Sequence, residues 1–363
     1  MVATIYLVAG LLVAPVLMYR LASFLHVFLN NLKPMKISEI YVYPIKSLRA
    51  TKVPEAVATK HGFQYDRRFM LLEVTPDGYK NMAVSRYPEM TQFLTEIETD
   101  SSGSGSITVK FKAFGNADQT KTLQVPLLPD VEKLEPFEVT MHNSPTQAYK
   151  MPAKYNDWFT SCFGYEVLFV YLGENRRNVL FEDMVLPPRP TWIRNIAQKY
   201  PFLGIPVDEQ FQITFADCAP YLIVSKTSLE DVSARLPDGE DMDVTKFRPN
   251  IVLEGAGKPW EEDFWGRIKI RDAEIIMQHN CVRCKSINID YETGKPGTGP
   301  SGEVLKKLQK DRRVDMGAKW SPVFGRYSYW NPKSSTQTFK VGDEVNVTKV
   351  NDGRTVWTWK GLS

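Results

Sequence analysis

No Gly-x-x-x-x-Gly-Lys loop, Gly-x-Ser-x-Gly elbow or His-Glu-x-x-His helix occurs in this chain. P-loop phosphoryl transfer, nucleophile-elbow esterase chemistry and helix-borne zinc proteolysis are therefore excluded as readings. A flavin or dinucleotide fingerprint is missing too. Cysteine is scarce: Cys162, Cys218, Cys281 and Cys284 are too few in 363 residues for a disulfide scaffold and point to a reducing compartment. The net charge is only +3, too small to argue for nucleic acid as a partner, so any basic site must be local. Of the four histidines, His26, His61 and His142 have no motif context and read as structural or surface residues.

What is present is a folded composition, 43% hydrophobic and 24% charged, long enough for two domains of ordinary size. Residues 2–19 carry no charged side chain and would span roughly 27 Å as a helix, close to a bilayer core. Arg20, Lys33 and Lys36 follow this segment and no Lys or Arg precedes it, which predicts an uncleaved anchor over 1–33 with the body on the cytosolic side. A cleaved signal peptide would need a basic start and a small-residue cleavage site, neither of which is clear here.

From Lys36 onward the pattern is strand-dominated. Apolar runs at 37–43, 69–74, 107–111, 167–172, 211–215, 221–224, 250–253, 268–270, 274–277 and 345–350 read as strands, punctuated by turns such as Pro76-Asp77-Gly78. Helices are expected at 154–162, 227–236 and 301–312. The run Pro187-Pro188-Arg189-Pro190 breaks regular structure and marks a boundary. The expected division is an anchor over 1–33, a β-rich domain over 34–186, a β-barrel domain over 187–352 and a tail over 353–363. The class is α+β, strand-dominated, because the strands do not alternate with helices as βαβ units.

The most chemically loaded segment is His279-Asn280-Cys281-Val282-Arg283-Cys284-Lys285. Thiolate is the form that attacks electrophiles or ligates soft metals, and neighbouring positive charge favours it. Cys281-x-x-Cys284 is half of a zinc site, but no second Cys-x-x-Cys or His-x₃₋₅-His completes it. A redox dithiol or inert packing cysteines also fit the pattern. Lys46, Arg67 and Arg68 can converge on an anion, and Arg248, just before Pro249 and an apolar strand, offers a planar fork suited to phosphate or carboxylate.

Taken in order, the segment 37–47, Asp66-Arg67, Asp217-Cys218-Ala219-Pro220, Phe247-Arg248-Pro249-Asn250, Arg283-Cys284 and Phe324-Gly325-Arg326-Tyr327 resemble the molybdenum-cofactor sulfurase C-terminal (MOSC) family, in particular its amidoxime-reducing branch. The resemblance implies a MOSC β-barrel preceded by a smaller β-rich MOSC_N domain and a transmembrane helix. It also implies a molybdenum cofactor (Mo-molybdopterin), with Cys284 as the metal ligand. Lys46, Ser47, Arg67, Arg248, Asn250 and Arg283 would hold the pterin and its phosphate, and Cys218, Ala219, Val282 and Tyr327 would line the same pocket. Asp217 is either the carboxylate nearest the metal or a turn residue. Close relatives show Thr and Ser where this chain has Cys218 and Ala219. The implied activity is reduction of N-hydroxylated compounds (amidoximes, hydroxylamines, N-oxides) at the mitochondrial outer membrane. Electrons would come from cytochrome b5 and its NADH-dependent reductase. A cofactor-binding or sulfur-carrying module without turnover is the alternative, and a structural zinc protein a third.

Overall fold

The computed structural model describes residues 34–100, 103–112, 120–184, 199, 211–237 and 239–360. The expected anchor over 1–33 and the Pro-rich break at 187–190 lie outside them. Among the described residues no helix is long and apolar enough to cross a membrane.

Seven strands close a barrel: β1 (Met35–Val42), β2 (Tyr221–Ser225), β3 (Ile251–Glu254), β4 (Trp265–Ile270), β5 (Ala273–Val282), β6 (Val323–Trp330) and β7 (Glu344–Val350), in the spatial order β3-β2-β6-β5-β4-β7-β1 and back to β3. An odd number of strands cannot alternate direction all the way round a closed ring, so one pair must run parallel. That pair is β2–β3. Parallel neighbours need a long crossover, and a helix over Lys226–Ser233 lies in the connection. The barrel interior is filled by alternate side chains, among them Ile37, Ile40, Ile223, Leu253, Ile268, Ile275, Met277 and Trp330.

The N-terminal part packs a five-stranded antiparallel sheet, in the order Glu135–Met141, Ser144–Lys150, Val167–Tyr171, Phe69–Thr75 and Gly78–Asn81, near a three-stranded sheet of Phe93–Thr99, Gly105–Lys112 and Thr120–Pro126. Val167–Tyr171 reads as a continuous apolar run because both its faces are covered. Val167, Phe169 and Tyr171 join one core, while Leu168 and Val170 join another. Helix α1 (Ala153–Phe163) buries Tyr155 and Phe159 on that first core and ends at Gly164, whose φ of 81° is the left-handed stop that glycine adopts without strain.

Strand pairing crosses the division drawn near residue 186. Strand β1 closes the C-terminal barrel, and Glu55–Thr59 pairs with Gln337–Lys340. The stretch expected as a tail buries Trp357 and Trp359 against Phe181. The strand expected at 211–215 reduces to Gln212–Ile213, paired with Arg177–Asn178.

Strand β5 runs well past 277, through Cys281. Register shifts between Met277 and His279 and between Asn280 and Val282 interrupt its alternation. They place Cys281 in a core cluster other than the one that holds Met277. Strand β6 carries no simple pattern because Gly325 and Arg326 sit inside it. A Cβ on Gly325 would stand 2.7 Å from the Val224 side chain. Arg326 is fully buried and donates to Asn280 Oδ1 (2.6 Å), Met277 O (2.6 Å) and Thr355 Oγ1 (2.7 Å).

Candidate functional site

The ends of β1, β5 and the segments leading into β2 and β3 converge with strand β6 on one cleft of about 350 Å³, with a recess of about 110 Å³ that shares eight of its lining residues. Every residue that the resemblance implies for the site lines one or the other: Lys46, Ser47, Arg67, Asp217, Cys218, Ala219, Arg248, Asn250, Val282, Arg283, Cys284 and Tyr327. Arg68, expected to converge with Lys46 and Arg67 on an anion, lines neither and pairs with Glu174 instead. Residues more than 200 positions apart are brought together because β1 and β3 are neighbours in the closed barrel.

The backbone is strained here. Eight non-glycine residues among those described have positive φ, and Ser47 (69°), Arg67 (51°), His142 (52°) and Arg248 (57°) all line the cleft. Such a conformation costs about 1–2 kcal/mol for an L-residue and persists only where surrounding bonds fix it. Arg67 shows how. Its N–H donates to Tyr43 O (2.6 Å), its carbonyl accepts from Phe215 N (3.0 Å), and its guanidinium reaches Asp66 Oδ2 (2.5 Å) and Asn250 Oδ1 (3.2 Å).

Four cations surround the cleft. The guanidinium carbons of Arg67 and Arg248 lie over the Tyr43 ring at 4.6 and 4.4 Å. Arg248 donates to Leu48 O (2.9 Å), but its Nη2 is buried without a hydrogen-bond partner, as is Tyr43 Oη. Arg283 spends its donors on carbonyls, Nε and Nη2 on Phe324 O (2.9 and 2.7 Å) and Nη1 on Phe247 O (2.8 Å). It supplies positive charge from beneath. Lys46 is buried and paired with Asp217. Burial lowers the Lys46 ammonium from its ordinary value, and Asp217 opposes that shift. Asn250 is fully engaged within the protein, with Tyr41 O, Asp66 Oδ1, Leu222 N and Arg67, so it positions Arg67.

Asp217 also meets His142, whose Nε2 lies 3.3 Å from Oδ1. Desolvation works against ionisation of Asp217, but Lys46 and His142 outweigh it and hold the carboxyl well below the usual range. Sequence reasoning set His142 aside. It stands at the tip of the hairpin between Glu135–Met141 and Ser144–Lys150, and nothing local announces that this tip reaches the barrel. Tyr43, Ser286, Ser321 and Trp357 were likewise not singled out; Tyr43 carries both guanidiniums and the other three line the cleft.

The cysteines divide sharply. Cys284 is exposed at the cleft with Ser286 Oγ 3.2 Å from its Sγ, whereas Cys281 and Cys218 are buried. Burial pushes both buried thiols up, and the Tyr327 hydroxyl opposes the shift in each. Among the described residues no three His, Cys, Asp or Glu side chains converge to hold a metal ion, so the zinc reading of Cys281 and Cys284 has no ligand set. A site with one open thiol, several cations and an orphaned buried guanidinium donor is suited to a large anionic ligand that also presents a thiophilic centre.

The chain is 27% identical over 318 residues to mitochondrial amidoxime-reducing component 1 of Mus musculus, covering 85% of this chain and 81% of that one. It is 28% identical over 317 residues to its Homo sapiens counterpart, covering 85% and 82%. It is also 27% identical over 321 residues to the molybdenum cofactor sulfurase of Arabidopsis thaliana, 85% of this chain but only 35% of that protein. Residues 34–166 match the MOSC N-terminal beta barrel domain and residues 210–346 match the MOSC domain, so the chain belongs to the MOSC family.

Proposed function

We propose that this protein is a molybdenum-cofactor-dependent reductase of N-hydroxylated compounds, fed with electrons by cytochrome b5 and its NADH-dependent reductase. The observation that carries the reading is the pairing of one exposed thiol, Cys284, with a cationic cleft lined by Arg248, whose Nη2 is buried without a hydrogen-bond partner. An unsatisfied buried donor costs about 1–3 kcal/mol, and a phosphate-bearing ligand relieves it. The donor set therefore fits the cofactor: Cys284 Sγ for the metal, Arg248, Arg67 and Ser47 for the phosphate and pterin, Arg283 for charge from below. When bound, the cofactor supplies the two-electron redox chemistry.

The chain's own part is to bind, orient and deliver protons. Reduction of an amidoxime breaks the N–O bond, takes up two electrons and two protons, and releases the amidine and water. His142 Nε2 and Lys46 Nζ meet at Asp217 Oδ1, so proton carriers stand at the wall of the cleft that also holds Cys284. Residues 1–33 would anchor the protein in the mitochondrial outer membrane with the body facing the cytosol.

Full-length protein in detergent, expressed in a host that makes the cofactor, should contain molybdenum and reduce benzamidoxime with cytochrome b5, its reductase and NADH. Zinc or no metal, with no turnover, refutes the reading. Similarity to a molybdenum cofactor sulfurase at the same identity supports a second one, a module that carries cofactor or sulfur without turnover. It predicts bound molybdenum and no benzamidoxime reduction.

A further inference from the structure

Met316 and Trp320 are 76% and 74% exposed, the two most exposed large apolar side chains among the described residues. Both stand on the loop that leads into β6, and Trp320 directly precedes a residue of the cleft wall. The neighbouring Ser321 lines the cleft, and Pro322 O accepts from Arg283 N at 2.8 Å. Trp320 lies two residues from Pro322, at most ~7 Å of chain.

The loop is fixed from within. Asp315 is buried and accepts from Gly317 N (2.9 Å) and Trp357 N (2.9 Å) with Oδ1, and from Asn280 Nδ2 (2.8 Å) with Oδ2. A Cβ on Gly317 would stand 2.0 Å from Trp357 O, so the loop lies flat on that segment. The only carboxylate of residues 313–321 thus faces inward, while Arg313 and Lys319 are exposed beside the apolar pair, and Lys285 is exposed next to Cys284. An apolar centre with a cationic margin, preorganised beside a redox cleft, is complementary to an acidic protein surface.

Resting on the reductase reading, we propose that this patch is the docking surface for the acidic one-electron carrier protein that reduces the cleft. Two carriers would dock in turn, each giving up one electron, to match the two electrons and two protons that each N–O cleavage consumes. Its place fits a protein partner better than a bilayer. Strand β1 runs roughly 26 Å from Met35, beside the expected anchor, before the chain turns into the cleft at Lys46.

The test compares two donors on the full-length, cofactor-loaded protein: the reduced soluble haem domain of cytochrome b5, and dithionite-reduced methyl viologen. Met316→Ser with Trp320→Ala, and separately Arg313→Glu with Lys319→Glu, should each raise the KM for the haem domain about tenfold. The viologen-driven rate should stay within about twofold, and the charge-reversed variant should lose most of its dependence on ionic strength. Unchanged KM values in variants of an active wild type overturn the docking proposal alone. So does a shift of Trp320 fluorescence on anionic phospholipid vesicles that accompanies unchanged haem-domain kinetics, since it assigns the patch to a bilayer. A wild type inactive with both donors overturns the reductase reading, and the proposal with it.

Discussion

Glu262 offers a quantitative check on how the barrel is held together. It is fully buried in the short turn before β4, where Oε2 accepts from Ser228 Oγ at 2.8 Å and Oε1 has no partner. Ser228 Oγ in turn accepts from Trp260 N at 2.7 Å. Burial, chiefly, pushes the carboxyl from 4.5 up to about 7. The folded state therefore keeps a proton that the unfolded chain loses above 4.5. Raising the pH through this window favours unfolding, and the loss is complete above pH 7. A displacement of this size is worth about 3 kcal/mol. Glu262→Gln removes the ionisation while keeping an acceptor for Ser228. At pH 4 the two proteins should be about equally stable, because the protonated acid and the amide are close in shape and leave the same atom unpartnered. At pH 8 the variant should be more stable by about 3 kcal/mol, or roughly 6–12 °C in Tm for a unit of barrel size. Urea and thermal melts followed by tryptophan fluorescence between pH 4 and 8 measure the difference. Parallel pH profiles for the two proteins, or a variant less stable only at pH 8, would refute the argument.

Cys284→Ser should abolish molybdenum content and benzamidoxime reduction, while Cys281→Ser should retain the metal and lose about 1–3 kcal/mol of stability by burying a hydroxyl; metal analysis and melts separate the two. Arg248→Ala should lower cofactor occupancy at least tenfold, the scale of a charge-assisted hydrogen bond to phosphate at about 1.5–3 kcal/mol, read by molybdenum content of the purified protein. His279 is buried against Phe181 with ring centroids 3.8 Å apart, and desolvation lowers its imidazole to about 4. Stability should thus be lost as pH falls from 6.5 to 4, by about 3 kcal/mol, and His279→Phe should flatten that acid limb in the same melts.

Much of this protein is legible in its sequence. Strand-forming runs at 69–74, 167–172 and 221–224 declare themselves by apolar content, and helix 154–162 by its buried Tyr155 and Phe159, because these signals depend on local period alone. The residues of the cleft are also there, in the order Lys46, Arg67, Asp217, Arg248, Cys284 and Tyr327. Strands β5 and β6 were harder to read, since bulges and a buried Arg326–Asn280–Asp315 network replace their apolar alternation.

What the sequence determined by itself is the elements with a clean local period and the chemical types that converge; each follows from short-range pattern and side-chain chemistry. Tertiary structure alone decided that β1 closes the C-terminal barrel, that a hairpin tip brings His142 to Asp217, and that Cys281 turns inward while Cys284 faces the cleft. These outcomes depend on long-range strand pairing and on which face a bulge exposes. A one-residue change of register reverses the side of the sheet a residue occupies, and no local signal in the chain records that choice.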